Sequence, residues 1–390
     1  MKKINDYRFI VLTDSLNTYG IVRALGEEGY TSDVIDVKKS YSAFSKYVNF
    51  IKADSMKEKD LNDLIIQRLM ELKEQNIVGI VFATSDDGVD YLAKNRELIN
   101  NYGVALVSSK SCIKICNNKK KTVERAKEVG VPYPESLYFD NLAEMEEREG
   151  ELRYPVLLKP EKTSIFVQKY KKAVIIEDSK EYKQTISEIK DLHLENTPLV
   201  LQEYIPGDNH HLYNTSFFYD HEHRLKAIST GYKIRQYPPN TGTMTAGRIE
   251  DTPILQEYCE KLMDGLDYYG IGSAEFKYDE RDQLFKIIEI NPRSVLWNYS
   301  ATAAGVNMPI MAIEDLKGEN LIFRKSIVPI VWLYDSLDLV RYTITNRKKY
   351  PDHVLSWFQW KNTLKGSKVM AIRNWEDIRP WLYFLKETFL

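Results

Sequence analysis

Residues 286–293 read Lys-Ile-Ile-Glu-Ile-Asn-Pro-Arg. In an extended chain Glu289, Asn291 and Arg293 share one face, while Ile288 and Ile290 point to the other. An isoleucine-rich run of this kind is an ordinary buried strand except that every second position is charged or polar. Upstream, Glu275 sits in the strand-like Gly-Ser-Ala-Glu-Phe-Lys-Tyr-Asp of 272–279, joined to the first strand by the turn-rich Asp-Glu-Arg-Asp-Gln. A five-residue loop sets Glu275 directly opposite Glu289, and a tighter turn sets them on a diagonal. Either register gathers two carboxylates and a carboxamide oxygen, whose repulsion and desolvation call for a counter-cation. Oxygen-only donors favour Mg²⁺, which commonly completes its octahedron with water and substrate phosphates. The expectation is a magnesium site that serves a phosphate compound.

Three further places suit a nucleotide. Lys159 follows Tyr-Pro-Val-Leu-Leu and abuts Pro160, the position of a phosphate point charge at the end of an apolar strand. Lys119 opens a helix that stops at Gly130, with Pro132 and Pro134 beyond it. Between Glu203 and Ile205 an extended segment leaves a strand, and its backbone can offer adenine a donor and an acceptor. No Ser-His-Asp or Cys-His arrangement asserts itself. Of the histidines, His210 or His211 is expected to line the nucleotide or substrate pocket and His221 and His223 to sit on a solvated turn; no spacing enforces a zinc site. Cys112, Cys116 and Cys259 read as reduced, packed thiols.

The elements that must position these residues fall into three segments. Residues 1–115 alternate strand and helix patterns at short loop lengths, which predicts a parallel sheet wound with helices. The loop after the first strand, Thr-Asp-Ser-Leu-Asn-Thr-Tyr-Gly, lacks a GxGxxG fingerprint, so this sheet is expected to serve architecture more than cofactor binding. Residues 116–325 have an α+β texture, with hairpins and interposed helices and a small lid subdomain at about 135–205. Residues 326–390 hold five of the six tryptophans: Trp332, Trp357, Trp360, Trp375 and Trp381. Core or subunit packing is the favoured reading of that aromatic load, ahead of a membrane-peripheral or partner surface. A length of 390 residues suits two or three domains, and a net charge of −2 provides no global basic field for nucleic acid. The four-residue apolar run near the start is too short for a signal peptide, and no window approaches a membrane span, so the expected location is the cytoplasm.

The order of motifs resembles the ATP-grasp superfamily, and within it the carboxylate–amine ligases, over residues 1 to about 315. The residues that carry the resemblance are the Lys119 helix ending in Gly-Val-Pro-Tyr-Pro, Tyr-Pro-Val-Leu-Leu-Lys-Pro, Leu-Gln-Glu-Tyr-Ile-Pro-Gly, Gly-Ser-Ala-Glu-Phe-Lys-Tyr-Asp, and Phe-Lys-Ile-Ile-Glu-Ile-Asn-Pro-Arg followed by Ala-Thr-Ala-Ala-Gly-Val-Asn-Met-Pro. The fold implied is a Rossmann-like preATP-grasp domain, a two-subdomain ATP-grasp fold and an aromatic-rich C-terminal segment. The resemblance implies that Lys119 and Lys159 contact ATP phosphates, that the backbone of Glu203, Tyr204 and Ile205 holds adenine, and that Asp208 binds ribose with His211 nearby. Glu275, Glu289 and Asn291 would hold two Mg²⁺, with Mn²⁺ as an alternative, and Arg293 would steady the transferring phosphoryl group. The implied chemistry phosphorylates a small carboxylate, expected to be an amino acid, to an acyl phosphate that an amine then displaces. Cations for that carboxylate are Lys233, Arg235, Arg248 and Arg293, with Arg235 and Arg248 favoured for their bidentate fork. D-aspartate ligases and carbamoyl-phosphate-type synthetases are similar members, a non-catalytic ATP-binding protein is the rival class, and a homodimer is the default assembly. The sequence departs from the family in two places: the flap after Lys159 contains no glycine but has Lys162, Lys169, Lys171 and Lys172, and Asn118 stands where an aspartate is common.

Overall fold

The computed structural model describes residues 6–151, 153–160, 169–170, 173–239 and 242–389. Its first sheet is parallel, in the order β3-β2-β1-β4-β5, with β1 Tyr7–Leu12, β2 Ser32–Asp36, β3 Val48–Lys52, β4 Val78–Ala83 and β5 Val104–Ala105. Strand β1 is apolar at successive positions because helices cover both faces. Phe9 and Val11 enter one core and Ile10 and Leu12 the other, where they meet Leu61, Ile65, Leu69 and Leu72 of the helix Glu58–Glu74. The core of Phe9 and Val11 continues through the helix Leu16–Gly26 to Trp297, Met308 and Trp332, so the first sheet and the central sheet share apolar packing.

A second, antiparallel sheet has the order β6-β9-β7-β8, from β6 Ser136–Phe139, β7 Val156–Pro160, β8 Val174–Ile176 and β9 Leu199–Glu203. The helix Ser179–Asp191 covers it with Tyr182, Ile186 and Ile189, spaced for one helical face. Lys162, Lys171 and Lys172 of the glycine-free flap lie outside the described residues.

The central sheet has eight strands. Its main path runs β14-β13-β10-β11-β12-β16-β17, and β15 (Arg324–Lys325) pairs with β11. The path is built from β10 Leu212–Tyr219, β11 Leu225–Tyr237, β12 Thr243–Ile249, β13 Gly270–Asp279, β14 Leu284–Asn291, β16 Ile330–Leu333 and β17 Ser367–Met370. The residues after 325 are therefore not a tail apart from the sheet. They extend it, with β16 antiparallel to β12 and Trp332 only 1% exposed. Trp357 and Trp375 differ from it in facing solvent.

Candidate active site

The β13–β14 hairpin sets the register of the carboxylates. Its loop is four residues, since Asp279 pairs with Leu284, and Lys277 with Lys286 and Phe276 with Ile287 follow that count. Continued unbroken, it would place Glu275 opposite Ile288 and turn Glu289 to the other face. A bulge intervenes at Ile288, and beyond it Glu275 stands directly opposite Glu289, Ala274 opposite Ile290, and Ser273 opposite Asn291. The expected pairing is reached by a shorter loop than the sequence reading required, plus one extra residue. The bulge also corrects the place of Ile288: Ile287 and Ile290 enter the core beneath the sheet, whereas Ile288 is half-buried.

On the carboxylate face, Asn291 donates from Nδ2 to Glu289 Oε1 at 3.2 Å, and Lys233 Nζ lies 3.7 Å from Glu275 Oε2. Asn214 of β10 pairs with Glu275 and accepts from the Trp297 indole at 2.9 Å. That indole lies over Gly231 and Gly247, where a Cβ would come within 2.7 Å and 3.2 Å of its ring. Two carboxylates and a carboxamide form an oxygen-only donor set, which fits a hard divalent cation and leaves coordination positions for water and phosphate.

The same face continues to a second charged cluster. Lys286 Nζ is 2.8 Å from Asp279 Oδ2 and 3.3 Å from Glu203 Oε1, and Arg281 bonds both carboxylates. These hydrogen bonds hold the Asp279 carboxyl well below the usual carboxylate range. Glu203 thus ties the end of β9 to the hairpin. Its own amide goes to Glu135 O and that of Tyr204 to Pro155 O, while Ile205 N–H makes no backbone hydrogen bond among the described residues. Lys277 is half-buried with its ammonium 5.1 Å from the Tyr204 ring centroid, and desolvation pushes its pKa down. Sequence reasoning missed Lys277, although its position two residues after Glu275 on one strand face is the signal that would have found it.

Asp208 accepts from the His210 amide at 2.9 Å, and His211 bridges Asp208 and Glu280 at 3.0 and 2.9 Å. Burial opposes charge on His211, but the hydrogen bonds to Glu280 and Asp208 prevail and raise its pKa. At the other end of β10, His221 pairs with Asp315 and His223 with Tyr268 O. The four histidines are thereby split between two ends of a strand, which removes the zinc arrangement from consideration.

Lys119 begins the helix Lys119–Glu128, capped by Asn118 Oδ1 accepting from Lys121 N–H at 2.9 Å. Three lysines in that first turn oppose the helix dipole, roughly 0.3–1 kcal/mol each, an imbalance that an incoming polyanion reverses. Lys119 lines a cleft of about 930 Å³ together with Glu289, Asn291 and Asp86. Lys159 lies on β7 in the second sheet, with its ammonium 2.9 Å from Gln202 Oε1.

Arg293 reaches the helix that follows β4. Asp86, the first residue of the helix Asp86–Lys94 after β4, takes its guanidinium at 2.6 and 3.1 Å. Beside it Asn17 donates to Thr84 O and Ser294 O, both at 2.8 Å, and accepts from Asn298. The crevice between β1 and β4, where the strand order reverses, is the usual ligand position in such sheets. Here the first turn of the helix Leu16–Gly26 bonds the segment that follows β14 instead, and the Asp14 carboxylate is taken up by the Ser40, Ser42 and Ala43 amides.

Two of the favoured cations are elsewhere. Arg235 is 4% exposed and bound by Asp338 at 3.0 and 2.7 Å and by Thr363, so it is a buried link to the C-terminal segment. Arg248 pairs across the sheet with Tyr232, on the face opposite Lys233 and Gly247, and donates to Lys365 O at 2.9 Å. Lys233 and Arg293 remain on the carboxylate side.

No family model matches the sequence. The D-aspartate ligase of Enterococcus faecium is 22% identical over 416 aligned residues, which span 96% of this chain and 94% of that protein. Among solved structures, the ADP complex of an N5-carboxyaminoimidazole ribonucleotide synthetase matches with a TM-score of 0.65 at 16% identity, covering 86% of this chain and 84% of that one. The L-amino acid ligase from Bacillus licheniformis matches with a TM-score of 0.58 at 16% identity, covering 80% of this chain and 75% of that one. Among the described residues no helix is long and apolar enough to cross a membrane.

Proposed function

We infer from this fold and these relatives that the chain is an ATP-grasp enzyme, an ATP-dependent, ADP-forming ligase of the carboxylate–amine type, and that the carboxylate it activates belongs to an amino acid. The observation that carries the reading is the Glu275–Glu289 pair with Asn291 beside it, of which Glu289 and Asn291 line a cleft together with Lys119. The full-length likeness to a D-aspartate ligase supports the amino-acid substrate.

In this reading the Glu203–Ile205 backbone receives adenine, Asp208 and His211 stand by the ribose, and Lys119 and Lys159 bind phosphate oxygens as point charges. Glu275, Glu289 and Asn291 hold Mg²⁺, which when bound neutralises phosphate charge. Lys233 provides the cation for the substrate carboxylate. Arg293, bonded to Asp86 in the structure, leaves that carboxylate to steady the transferring group. The carboxylate oxygen attacks the terminal phosphorus and ADP departs; the amine then attacks the acyl carbon, phosphate leaves and an amide remains. No side-chain nucleophile takes part.

The test is ADP release with ATP and Mg²⁺ across D- and L-amino acids, offered singly and with amines, beside Glu289→Gln. Release that requires one amino acid and falls on the order of a hundredfold or more in the variant is expected. ATP turnover that ignores every carboxylate, or that survives in Glu289→Gln, would remove the ligase reading.

A further inference from the structure

Among the described residues, seven large apolar side chains are more than half exposed, and all seven lie between Ile322 and Leu382. The densest group falls in residues 341–370, where Ile344, Trp357 and Phe358 are 62%, 58% and 68% exposed. The helix Trp357–Thr363 packs against the turn Arg341–Thr345 that carries Ile344, and Leu355 N–H donates to Tyr342 O at 2.8 Å. The two elements that carry these side chains therefore adjoin one another.

The same thirty residues contain seven lysines and arginines against one acidic residue, Asp352, in a chain whose net charge is −2. Lys348, Lys349, Lys361 and Lys365 are all exposed, and Lys361 lies 5.0 Å from the Trp357 ring centroid. Exposed aromatic rings on a segment rich in exposed lysines, one of them beside the Trp357 ring, match the chemistry of an anionic bilayer surface. The rings can enter the boundary between headgroup and acyl chain while the lysines stay at phosphate level.

We propose that this face docks the protein on an anionic lipid surface. The alternative occupant is a second copy, but a two-fold contact would press the basic face against itself. The docking face also adjoins the end of β11. Tyr342 Oη donates to Gln236 O, and the Arg341 guanidinium lies 4.5 Å from the Tyr237 ring centroid.

The experiment is sedimentation of the full chain with phosphatidylcholine vesicles, with and without phosphatidylglycerol. Binding is expected only to the anionic vesicles, weakened by salt and by about fivefold for each basic residue neutralised, as in Lys348→Ala and Lys349→Ala. The double variant Trp357→Ser with Phe358→Ser should lose binding while retaining Tm and ADP release in solution. The proposal is overturned by absence of anionic-vesicle binding, by binding that both variant pairs retain, or by a solution dimer that the aromatic variant splits without any lipid binding in the parent. If the aromatic variant unfolds, the lysine pair decides alone.

Discussion

Asp338 and Arg235 stand 103 residues apart in sequence and are 0% and 4% exposed. The carboxylate accepts from Arg235 Nε and Nη2, from Thr245 Oγ1 at 2.6 Å and from Trp360 Nε1 at 2.7 Å. Asp338→Ala leaves the guanidinium with Thr363 and the Tyr342 ring in a site closed to water. Removing one partner of a buried pair costs about 3–5 kcal/mol, and the donors stranded on Thr245 and Trp360 add roughly 1 kcal/mol each. At about 1.2 °C per kcal/mol for a chain of this size, Tm should fall by roughly 6–9 °C. The pair Arg235→Met with Asp338→Leu should recover most of that loss, because apolar replacement of both partners is often neutral. Circular dichroism melts, run beside ADP release below the transition, measure both effects. The reasoning is refuted if Arg235→Met leaves Tm in place while raising KM for the carboxylate substrate, since Arg235 would then face that substrate.

Two further outcomes follow from named contacts. The Asp335 carboxylate accepts from the Ile372 and Arg373 amides, yet burial pushes its pKa up to about 6. An acid raised in the folded state contributes stability that is complete below its unfolded value near 3.9 and is lost as pH rises toward 6. Urea unfolding should therefore lose on the order of 3 kcal/mol from this group between pH 4 and pH 6. Asp335→Asn should remove that slope, and an unchanged slope would sink the assignment. A Cβ at Gly231 would lie 2.2 Å from Arg248 O, a backbone atom, while one at Gly247 meets the movable Met244 Sδ at 2.6 Å. Gly231→Ala should accordingly cost about 3 kcal/mol or more and Gly247→Ala clearly less, by urea midpoint; equal losses would mean that Trp297, common to both, sets the clash.

Period-two alternation was enough to place Glu289 and Asn291 together, because a strand face is a local property. The bulge at Ile288 was not legible, since it arises from the pairing partner and not from β14 alone. Arg235 was misread for a related reason: its spacing suited a substrate, but Asp338, which settles its role, belongs to a distant helix. The tryptophan count marked the C-terminal segment as unusual without revealing that β16 joins β12, a long-range pairing that no short window contains. Lys277 was legible and overlooked, a lysine being so often merely solvated. The Asp86 contact with Arg293 needed both domains in place before either residue pointed to the other.

The bulge gives β14 one residue more than its ladder needs. Loss of the single codon for Ile288 would keep the four-residue loop and the pairs from Asp279–Leu284 to Phe276–Ile287, and would set Glu289 opposite Glu275 in an unbroken ladder. Loss of Ile290 would instead carry Asn291 to the position opposite Ala274, on the other face of the sheet. The carboxylate site therefore tolerates a change of length at one position of this strand and not two residues further on. Related chains should vary in length at Ile288 and stay constant from Glu289 to Asn291.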